Sequence, residues 1–191
     1  MMELKPVWLM QPIPYMGEPL EGDWIVEPKV DGWRLQILKA NGKIQFWGRR
    51  LEKNPNWTDK LNYLSDFLRH IPDNTILDAE LYSEKGRRFI PSLFKKNPDV
   101  RPVIMVFDVL YLNGEKVFML PLKDRKLFLE NLNLKEPFYL MPYKKLVNDV
   151  KTHLLEEKKK GHEGIVLKML YSPYEIGKDG PIATIFWRKV K

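Results

Sequence analysis

A β-hairpin near the start of the chain is the feature that most constrains the fold. Two β-rich runs flank Asn41-Gly42 in RLQILKANGKIQFWGRR, and Asn-Gly is the favoured pair for a two-residue turn between antiparallel strands. Further β-rich runs follow in hairpin-like groups, with helical segments between the groups rather than after every strand. This order predicts an α+β fold with antiparallel β-sheets flanked by helices, and it argues against a doubly wound nucleotide-binding fold.

Three segments are predicted as helices. The first, NWTDKLNYLSDFLRHI, has apolar residues at helical spacing, and PLKDRKLFLENLNL and VNDVKTHLLEEKKKGH are the other two. The most continuous apolar run, RPVIMVFDVLYLNGEKV, predicts a central strand covered on both faces. Because no change of composition marks a linker, residues 1–191 are predicted to form a single domain.

Composition excludes several classes of protein. The sequence has no cysteine, which excludes disulfides, thiolate chemistry and zinc sites built on cysteine. The histidines, His70, His153 and His162, show no metal-ligand spacing. The first residues, MMELKPVWLM, lack the features of a signal peptide, and no apolar stretch approaches the length of a membrane span. We therefore expect a soluble cytoplasmic protein.

The charge of the chain favours an anionic partner. Lys and Arg number 32 against 25 Asp and Glu, a formal net charge of +7, which suits nucleic acid or nucleotides. A lysine-rich surface that serves only solubility is an equal alternative. The sequence has neither G-x-x-x-x-G-K-[ST] nor G-x-G-x-x-G, so any phosphate would be held largely by side chains.

Several charged residues interrupt apolar strands, where charge is rare unless it is paired or binds a ligand. Each of them, taken singly, can instead lie at a strand end and reach water. Together they suit a triphosphate and a divalent metal, because lysines neutralise phosphate oxygens and carboxylates bind Mg²⁺ or ribose hydroxyls. The set comprises Asp78, Glu80, Asp108, Glu163, Lys168, Lys189 and Lys191.

The stretch VEPKVDGWR places Lys29 beside an Asp-Gly turn between two β-rich runs. Such a charged turn is either a solvated hairpin tip or a reactive centre. A lysine nucleophile must lose its proton, and neighbouring cations such as Arg34, with partial burial, favour the neutral amine. Gly32 has no side chain to keep a phosphate from the backbone. Phe107 either stacks on a base or is an ordinary core aromatic.

The motifs occur in an ordered series. EPKVDGWR is followed by WGRR, LDAELY, VFDVLYLNG, HEGIVLK and FWRKVK. This succession resembles the nucleotidyltransferase (adenylation) domain of ATP-dependent DNA ligases, within the covalent nucleotidyltransferase superfamily, over essentially the whole chain. The resemblance implies the DNA ligase and mRNA capping enzyme catalytic-domain fold.

The resemblance also implies a reaction. Lys29 would attack the α-phosphate of ATP, giving lysyl-AMP and pyrophosphate. AMP would then move to the 5′-phosphate of nicked double-stranded DNA, and the 3′-hydroxyl would displace AMP and seal the strand.

Roles in nucleotide binding follow from the same resemblance. Glu27 is expected to contact adenine, and Phe107 to stack on it. Arg34 is expected on the ribose and phosphate side of the nucleotide. Arg49 is expected to contact phosphate, and Arg50 is the competing residue for that role.

Roles near the reacting phosphate are implied as well. Glu80 is expected to bind the ribose hydroxyl or a metal, and Glu163 to bind the metal, Mg²⁺ or Mn²⁺. Lys189 and Lys191 are expected to grip the α-phosphate and stabilise charge during transfer. Lys168 is expected to be a further pocket residue, and Asp31 to shape the turn and orient Lys29.

Ligases of this family normally continue into an OB-fold domain, whereas this chain stops at Lys191. We therefore expect either a fragment or a stand-alone domain, for which an OB-fold protein or a DNA-repair protein is a candidate partner in trans. DNA binding by this domain alone is expected to be weak and salt-sensitive, because only part of the usual clamp is present.

Two alternatives stay open. The residues around Lys29 also fit an RNA ligase or a capping guanylyltransferase of the same superfamily. A module that binds ATP or nucleic acid without turnover is the other alternative, and covalent labelling of Lys29 would distinguish it from an enzyme.

Overall fold

The computed structural model describes residues 4–147 and 149–191. Its strands are β1 Gln11–Pro14, β2 Trp24–Lys29, β3 Trp33–Ala40, β4 Lys43–Gly48, β5 Thr75–Ser83, β6 Pro102–Tyr111, β7 Phe138–Leu140, β8 Lys144–Lys145, β9 Gly164–Met169 and β10 Ala183–Val190. Its α-helices are α1 Thr58–Leu61, α2 Leu122–Asn131 and α3 Val150–Lys159. Short 3₁₀ helices span Leu51–Lys53, Asn62–Leu68, Arg87–Phe94 and Val117–Met119.

The strands form two five-stranded sheets. The first has the order β1-β10-β9-β2-β8, and the second has the order β4-β3-β5-β6-β7. Neighbouring strands are antiparallel except for β1–β10 and β6–β7, which are parallel pairs at sheet edges. The predicted α+β fold with antiparallel sheets and flanking helices is confirmed.

The predicted hairpin joins β3 to β4. Ala40 pairs with Lys43 across the turn, and the two turn residues, Asn41 and Gly42, have φ angles of 52° and 71°. Positive φ at both central positions is the conformation that Asn-Gly adopts at low cost in a two-residue hairpin. The local sequence therefore determines this turn.

The predicted helices are present with one difference. The segment NWTDKLNYLSDFLRHI forms α1 and then the 3₁₀ helix Asn62–Leu68, rather than one α-helix. α2 and α3 lie in the other two predicted segments, and residue 148 of the third segment lies outside the described residues. Across the described ranges no helix is long and apolar enough to cross a membrane.

Three apolar clusters show how the layers pack. The first cluster lies between the sheets and includes Phe107 of the second sheet and Trp187 of the first. The second joins Leu77 of β5 to Leu129 of α2, on the other face of the second sheet. The third packs Ile165 of β9 with α3 on the outer face of the first sheet. Since β6 contributes to the first two clusters, the prediction that it is covered on both faces is confirmed.

Candidate active site

A cleft of about 570 Å³ opens between the two sheets. Side chains alternate along a strand, so residues two apart on β2, β9 and β10 face this cleft while their neighbours face α3. The structure brings nine of the predicted site residues together in the lining, namely Glu27, Lys29, Arg34, Arg49, Glu80, Phe107, Lys168, Lys189 and Lys191. Glu163 is the remaining predicted site residue, and it contacts two of them.

Glu163 bridges two lysines of the cleft. One carboxylate oxygen forms an ion pair with Lys29 and the other with Lys191. Burial would raise the pKa of Glu163, but the two lysines hold it below its usual range. The side chain of Lys29 is 22% exposed, so its amine is held by Glu163 and is still open to the cleft.

Backbone packing brings this trio together. The backbone N–H of Glu163 donates to the Lys29 carbonyl oxygen at 3.0 Å, which places the two residues side by side at the ends of β2 and β9. The following residue, Gly164, lies against β10, where an added Cβ would be only 2.0 Å from the carbonyl oxygen of Val190. Glycine at 164 therefore allows the close approach that carries Lys191 to Glu163.

The other end of the cleft contains a buried charge network. Glu27 forms an ion pair with Lys168 at 2.6 Å through one oxygen and with Lys126 of α2 through the other. The Lys168 ammonium lies 4.3 Å from the centre of the Phe107 ring and 4.1 Å from that of Trp187. Burial lowers the pKa of Lys168 to about 8, although the charge of Glu27 opposes this effect. The two residues expected to contact the base, Glu27 and Phe107, are thus joined through lysines.

Arg34 lies beside Phe107, and its charge is already paired. Its guanidinium donates to both carboxylate oxygens of Asp78 and lies 4.8 Å from the centre of the Phe107 ring. Burial alone would lower the pKa of Arg34, but the Asp78 carboxylate outweighs burial and raises it. Tyr174 also donates to Asp78, at 2.6 Å. Arg34 therefore presents a fixed cation at the edge of the cleft.

Glu80 is the carboxylate of the second sheet that faces the cleft. Burial raises its pKa to about 7, although the charges of Arg34 and Lys29 oppose this effect. A carboxyl group with a raised pKa inside a cleft is typical of a functional site. The arrangement suits a group that accepts hydrogen bonds from a ligand hydroxyl or binds a cation.

The rim of the cleft is basic. Arg49 donates to the side chain of Gln11 at 3.1 Å, and Arg50 donates to Glu52 at 3.0 Å. Across the described part of the chain, the side-chain amine of Lys189 has no hydrogen-bond or ion-pair partner, which leaves it open to an anionic ligand. The lining also includes the cations Lys53 and Arg87.

The Asp-Gly turn after Lys29 makes two contacts that its predicted roles did not include. Asp31 forms an ion pair with Arg87 at 2.5 Å, which ties the turn to the 3₁₀ helix after β5. An added Cβ on Gly32 would lie 2.5 Å from the carbonyl oxygen of Leu81. The requirement for glycine therefore arises from close packing on β5, whether or not a phosphate also approaches this backbone.

Sequence reasoning missed Lys126 and Arg87. A signal for Lys126 was present, because it lies four residues after Leu122 and three before Leu129, on the buried face of α2. A lysine on such a face requires a partner. Nothing comparable marked Arg87, whose partner Asp31 lies 56 residues away.

Few side chains in the described part of the chain are placed to bind a metal ion. Within residues 4–147 and 149–191, no three His, Cys, Asp or Glu side chains cluster as a metal site. Mg²⁺ is commonly held by one or two carboxylates together with substrate phosphates and water. Glu163 forms an ion pair with Lys29, and Glu80 is close enough to Lys29 for the charge of the lysine to oppose the rise in the pKa of Glu80, so these two carboxylates fit that pattern.

Solved structures of DNA ligases resemble this chain in fold. The mycobacterial DNA ligase D complexed with ATP and MES aligns with a TM-score of 0.70 and 23% identity, over 95% of this chain and 59% of that chain. A Lig E DNA ligase aligns with a TM-score of 0.64 and 19% identity, over 96% of this chain and 68% of that one. These likenesses show a DNA ligase catalytic-domain fold.

Sequence comparison identifies the family. The family model for the ATP dependent DNA ligase domain matches residues 10–191. The chain belongs to this family, and the prediction made from its ordered motifs is confirmed.

Two relatives show how much of a ligase the chain represents. The SPbeta prophage-derived DNA ligase-like protein LigB of Bacillus subtilis (strain 168) is 33% identical over 168 residues, which cover 84% of this chain and 60% of that protein. A DNA ligase of Archaeoglobus fulgidus is 30% identical over 188 residues, covering 87% of this chain and 31% of that protein. The chain therefore corresponds to only part of each relative.

Proposed function

We propose that this chain is the adenylation domain of an ATP-dependent DNA ligase and that Lys29 is its nucleophile. The observation that carries the proposal is the position of the Lys29 amine, which is partly exposed in a cationic cleft and paired with the same carboxylate as Lys191. Glu27 and Phe107, the expected base-contacting residues, line the same cleft.

The proposed first step is attack of the neutral Lys29 Nζ on the α-phosphorus of ATP. The N–P bond forms as the bond from the α-phosphorus to the bridging oxygen breaks, pyrophosphate leaves and the nitrogen loses a proton. Lys189 and Lys191 are positioned to offset the charge on the phosphate oxygens as it develops during the transfer. Arg49 at the rim supplies a further phosphate contact.

Glu163 and Glu80 are the residues that would hold Mg²⁺ or Mn²⁺, since both present carboxylates near Lys29. When bound, the ion would neutralise charge on the phosphates of ATP. Glu80 alternatively accepts a hydrogen bond from the ribose hydroxyl. Its raised pKa means that burial disfavours its ionised form, and a donor or a cation in contact with Glu80 would stabilise that form.

The proposed substrate of the later steps is nicked double-stranded DNA. AMP passes from Lys29 to the 5′-phosphate, and the 3′-hydroxyl then displaces AMP, the sealing step used in DNA repair, replication and recombination. The proposal places this activity in the cytoplasm and includes an OB-fold or DNA-repair protein as a protein partner.

Intact-mass spectrometry after incubation with ATP and Mg²⁺ tests the first step. We expect one added AMP on the wild-type protein and none on Lys29→Ala or Lys29→Arg. The arginine variant is the matched control, because it retains a cation beside Glu163 but a guanidinium does not deprotonate in proteins. An adduct that persists in either variant would refute the role of Lys29.

Two further outcomes separate the alternatives. If GTP labels Lys29 better than ATP, the chain is a guanylyltransferase rather than a DNA ligase domain. If ATP binds but no adduct forms with either metal, and pre-adenylated nicked DNA is not sealed, the non-catalytic binding module is supported instead.

A further inference from the structure

Lys126 is a buried lysine that the proposed reaction leaves without a role. It lies on α2 with 1% exposure, and it is not among the residues that line the cleft. A buried lysine is rare because removing its charge from water is costly. Its presence therefore calls for specific partners.

Lys126 forms hydrogen bonds with the two residues expected to contact the base, and its ammonium lies 5.1 Å from the centre of the Tyr143 ring. Its ammonium forms an ion pair with Glu27, which is itself only 2% exposed, and donates to the backbone carbonyl oxygen of Phe107 at 2.8 Å. One side chain thus connects the carboxylate at the edge of the base site to the strand that carries the aromatic ring. Residues 27 and 107 lie in different sheets, so this link joins the two sheets.

The charges around Glu27 determine what it can bind. With Lys126 on one oxygen and Lys168 on the other, both oxygens of Glu27 accept hydrogen bonds from cations. An ionised carboxylate only accepts hydrogen bonds. It can accept a hydrogen bond from the 6-amino group of a purine. It repels the 6-oxo group of another purine, because that oxygen is also an acceptor.

We propose that Lys126 is a positioning residue that sets base selectivity, by fixing Glu27 as a hydrogen-bond acceptor in register with Phe107. The ligand class it selects is a 6-aminopurine nucleoside triphosphate over a 6-oxopurine one. This inference rests on the proposed function in that the cleft binds a purine nucleotide between these residues. Lys126 acts through Glu27 and does not itself touch the nucleotide.

Competitive binding of ATP and ITP tests this role directly, because ITP carries a 6-oxo group and lacks the 2-amino group of GTP. Affinities are measured without divalent metal, so that no covalent step intervenes. The wild-type protein should prefer ATP by on the order of 100-fold or more, since a built hydrogen-bonding site rejects the mismatched group strongly. Lys126→Met should reduce this preference roughly tenfold, because Glu27 keeps Lys168 but loses its fixed orientation.

A matched control separates selectivity from general damage. Lys123→Met removes an exposed lysine of the same helix, whose ammonium lies 5.5 Å from the centre of the Tyr171 ring. It should leave the ATP-to-ITP ratio unchanged. A purely structural role for Lys126 would weaken binding of both nucleotides equally, and that result would overturn the proposal.

A second measurement needs no variant and covers the case in which Lys126→Met does not fold. In a crystal structure of the wild-type protein with a non-hydrolysable ATP analogue, Lys126 should contact both Glu27 and the Phe107 carbonyl oxygen, with a Glu27 oxygen facing the 6-amino group. Loss of the Lys126–Glu27 contact in that complex would overturn the proposal.

Failure of this inference differs from failure of the proposed function. A wild-type protein that prefers ATP, with a preference reduced in Lys126→Met, supports the inference even if no lysyl-AMP forms. A wild-type protein that forms lysyl-AMP but keeps its full base preference in Lys126→Met supports the proposed function and overturns the inference.

Discussion

The guanidinium of Arg34 donates two hydrogen bonds to the carboxylate of Asp78, each at 2.5 Å. The pair lies between the two sheets, where Asp78 is fully buried and Tyr174 donates to the same carboxylate. Such a bidentate pair fixes the plane of the guanidinium, and here the guanidinium carbon, Cζ, lies 4.8 Å from the centre of the Phe107 ring. Asp78 therefore orients a cation beside the ring expected to stack on adenine.

Removing Asp78 should destabilise the fold strongly. Asp78→Ala leaves Arg34 buried without its counter-ion, and breaking a buried pair in this way costs about 3–5 kcal/mol. Urea unfolding followed by circular dichroism measures the change in the free energy of unfolding. Asp66→Ala is the control, because Asp66 pairs with Arg69 on the surface and its loss should change stability by less than about 0.5 kcal/mol. Equal effects of the two variants would contradict the prediction.

Gly164 should not tolerate a side chain. Gly164→Ala places a Cβ 2.0 Å from the Val190 carbonyl oxygen, so β9 and β10 must separate, at an expected cost of about 1–3 kcal/mol. The same shift moves Lys191 away from Glu163. Thermal unfolding measures the loss of stability against Gly180→Ala, whose added Cβ meets nothing within 4 Å. A Gly164→Ala variant as stable as Gly180→Ala would show that the strands are not in close contact.

The ordered motifs predicted the family, and alternation along the strands predicted which charges share a face. Asp78 and Glu80 do share one face of β5, as the period of two requires. Their roles could not be separated by spacing, however. Asp78 forms an ion pair with Arg34, whereas Glu80 faces the cleft. Only the pairing of β3 with β5 in the sheet makes that distinction.

Long-range partners account for what sequence reasoning missed. Lys126 pairs with Glu27 from 99 residues away, and Arg87 pairs with Asp31 across 56 residues. Helical spacing could reveal that Lys126 is buried, but no local spacing reveals the partner of either residue, since both pairs depend on how α2 and the 3₁₀ helix after β5 dock. From the sequence, Gly32 is related only to the approach of a phosphate, and its close contact with the Leu81 carbonyl oxygen depends on the same packing.

Stability should depend on pH through Lys168. Burial lowers its pKa in the folded protein to about 8, whereas a lysine in the unfolded chain titrates near about 10.4. Between these values the unfolded state binds more protons than the folded state, so stability rises with pH in this window. The free energy of unfolding of the wild-type protein, minus that of Lys168→Met, should therefore increase from pH 8 to pH 10, by at most about 1.4 kcal/mol per pH unit.

Subtracting the free energy of unfolding of Lys168→Met removes the contribution of the other lysines and tyrosines that titrate in the same range. Glu27 keeps Lys126 as a partner in that variant, so no buried carboxylate is left unpaired. A difference that falls as pH rises would mean that the ion pair with Glu27 outweighs burial and raises the pKa of Lys168.

The basic rim should contribute to DNA binding in a salt-dependent way. Arg50 and Lys53 line the mouth of the cleft, where cations can contact phosphates of a nicked duplex. Each phosphate contact contributes about 0.9 to the slope of log K against log salt concentration. Arg50→Ala/Lys53→Ala should therefore make this slope shallower by roughly 1 to 2, as measured by fluorescence anisotropy of a labelled nicked duplex across a salt titration.

The control for the rim is a charge-matched pair outside the cleft. Lys158→Ala/Lys159→Ala removes two lysines at the end of α3, which do not line the cleft, and it changes the net charge by the same amount. If the rim contacts DNA, only the first double variant alters the slope. If both variants alter it equally, binding depends on the overall charge of +7 rather than on a defined DNA surface, and the rim then has no specific role.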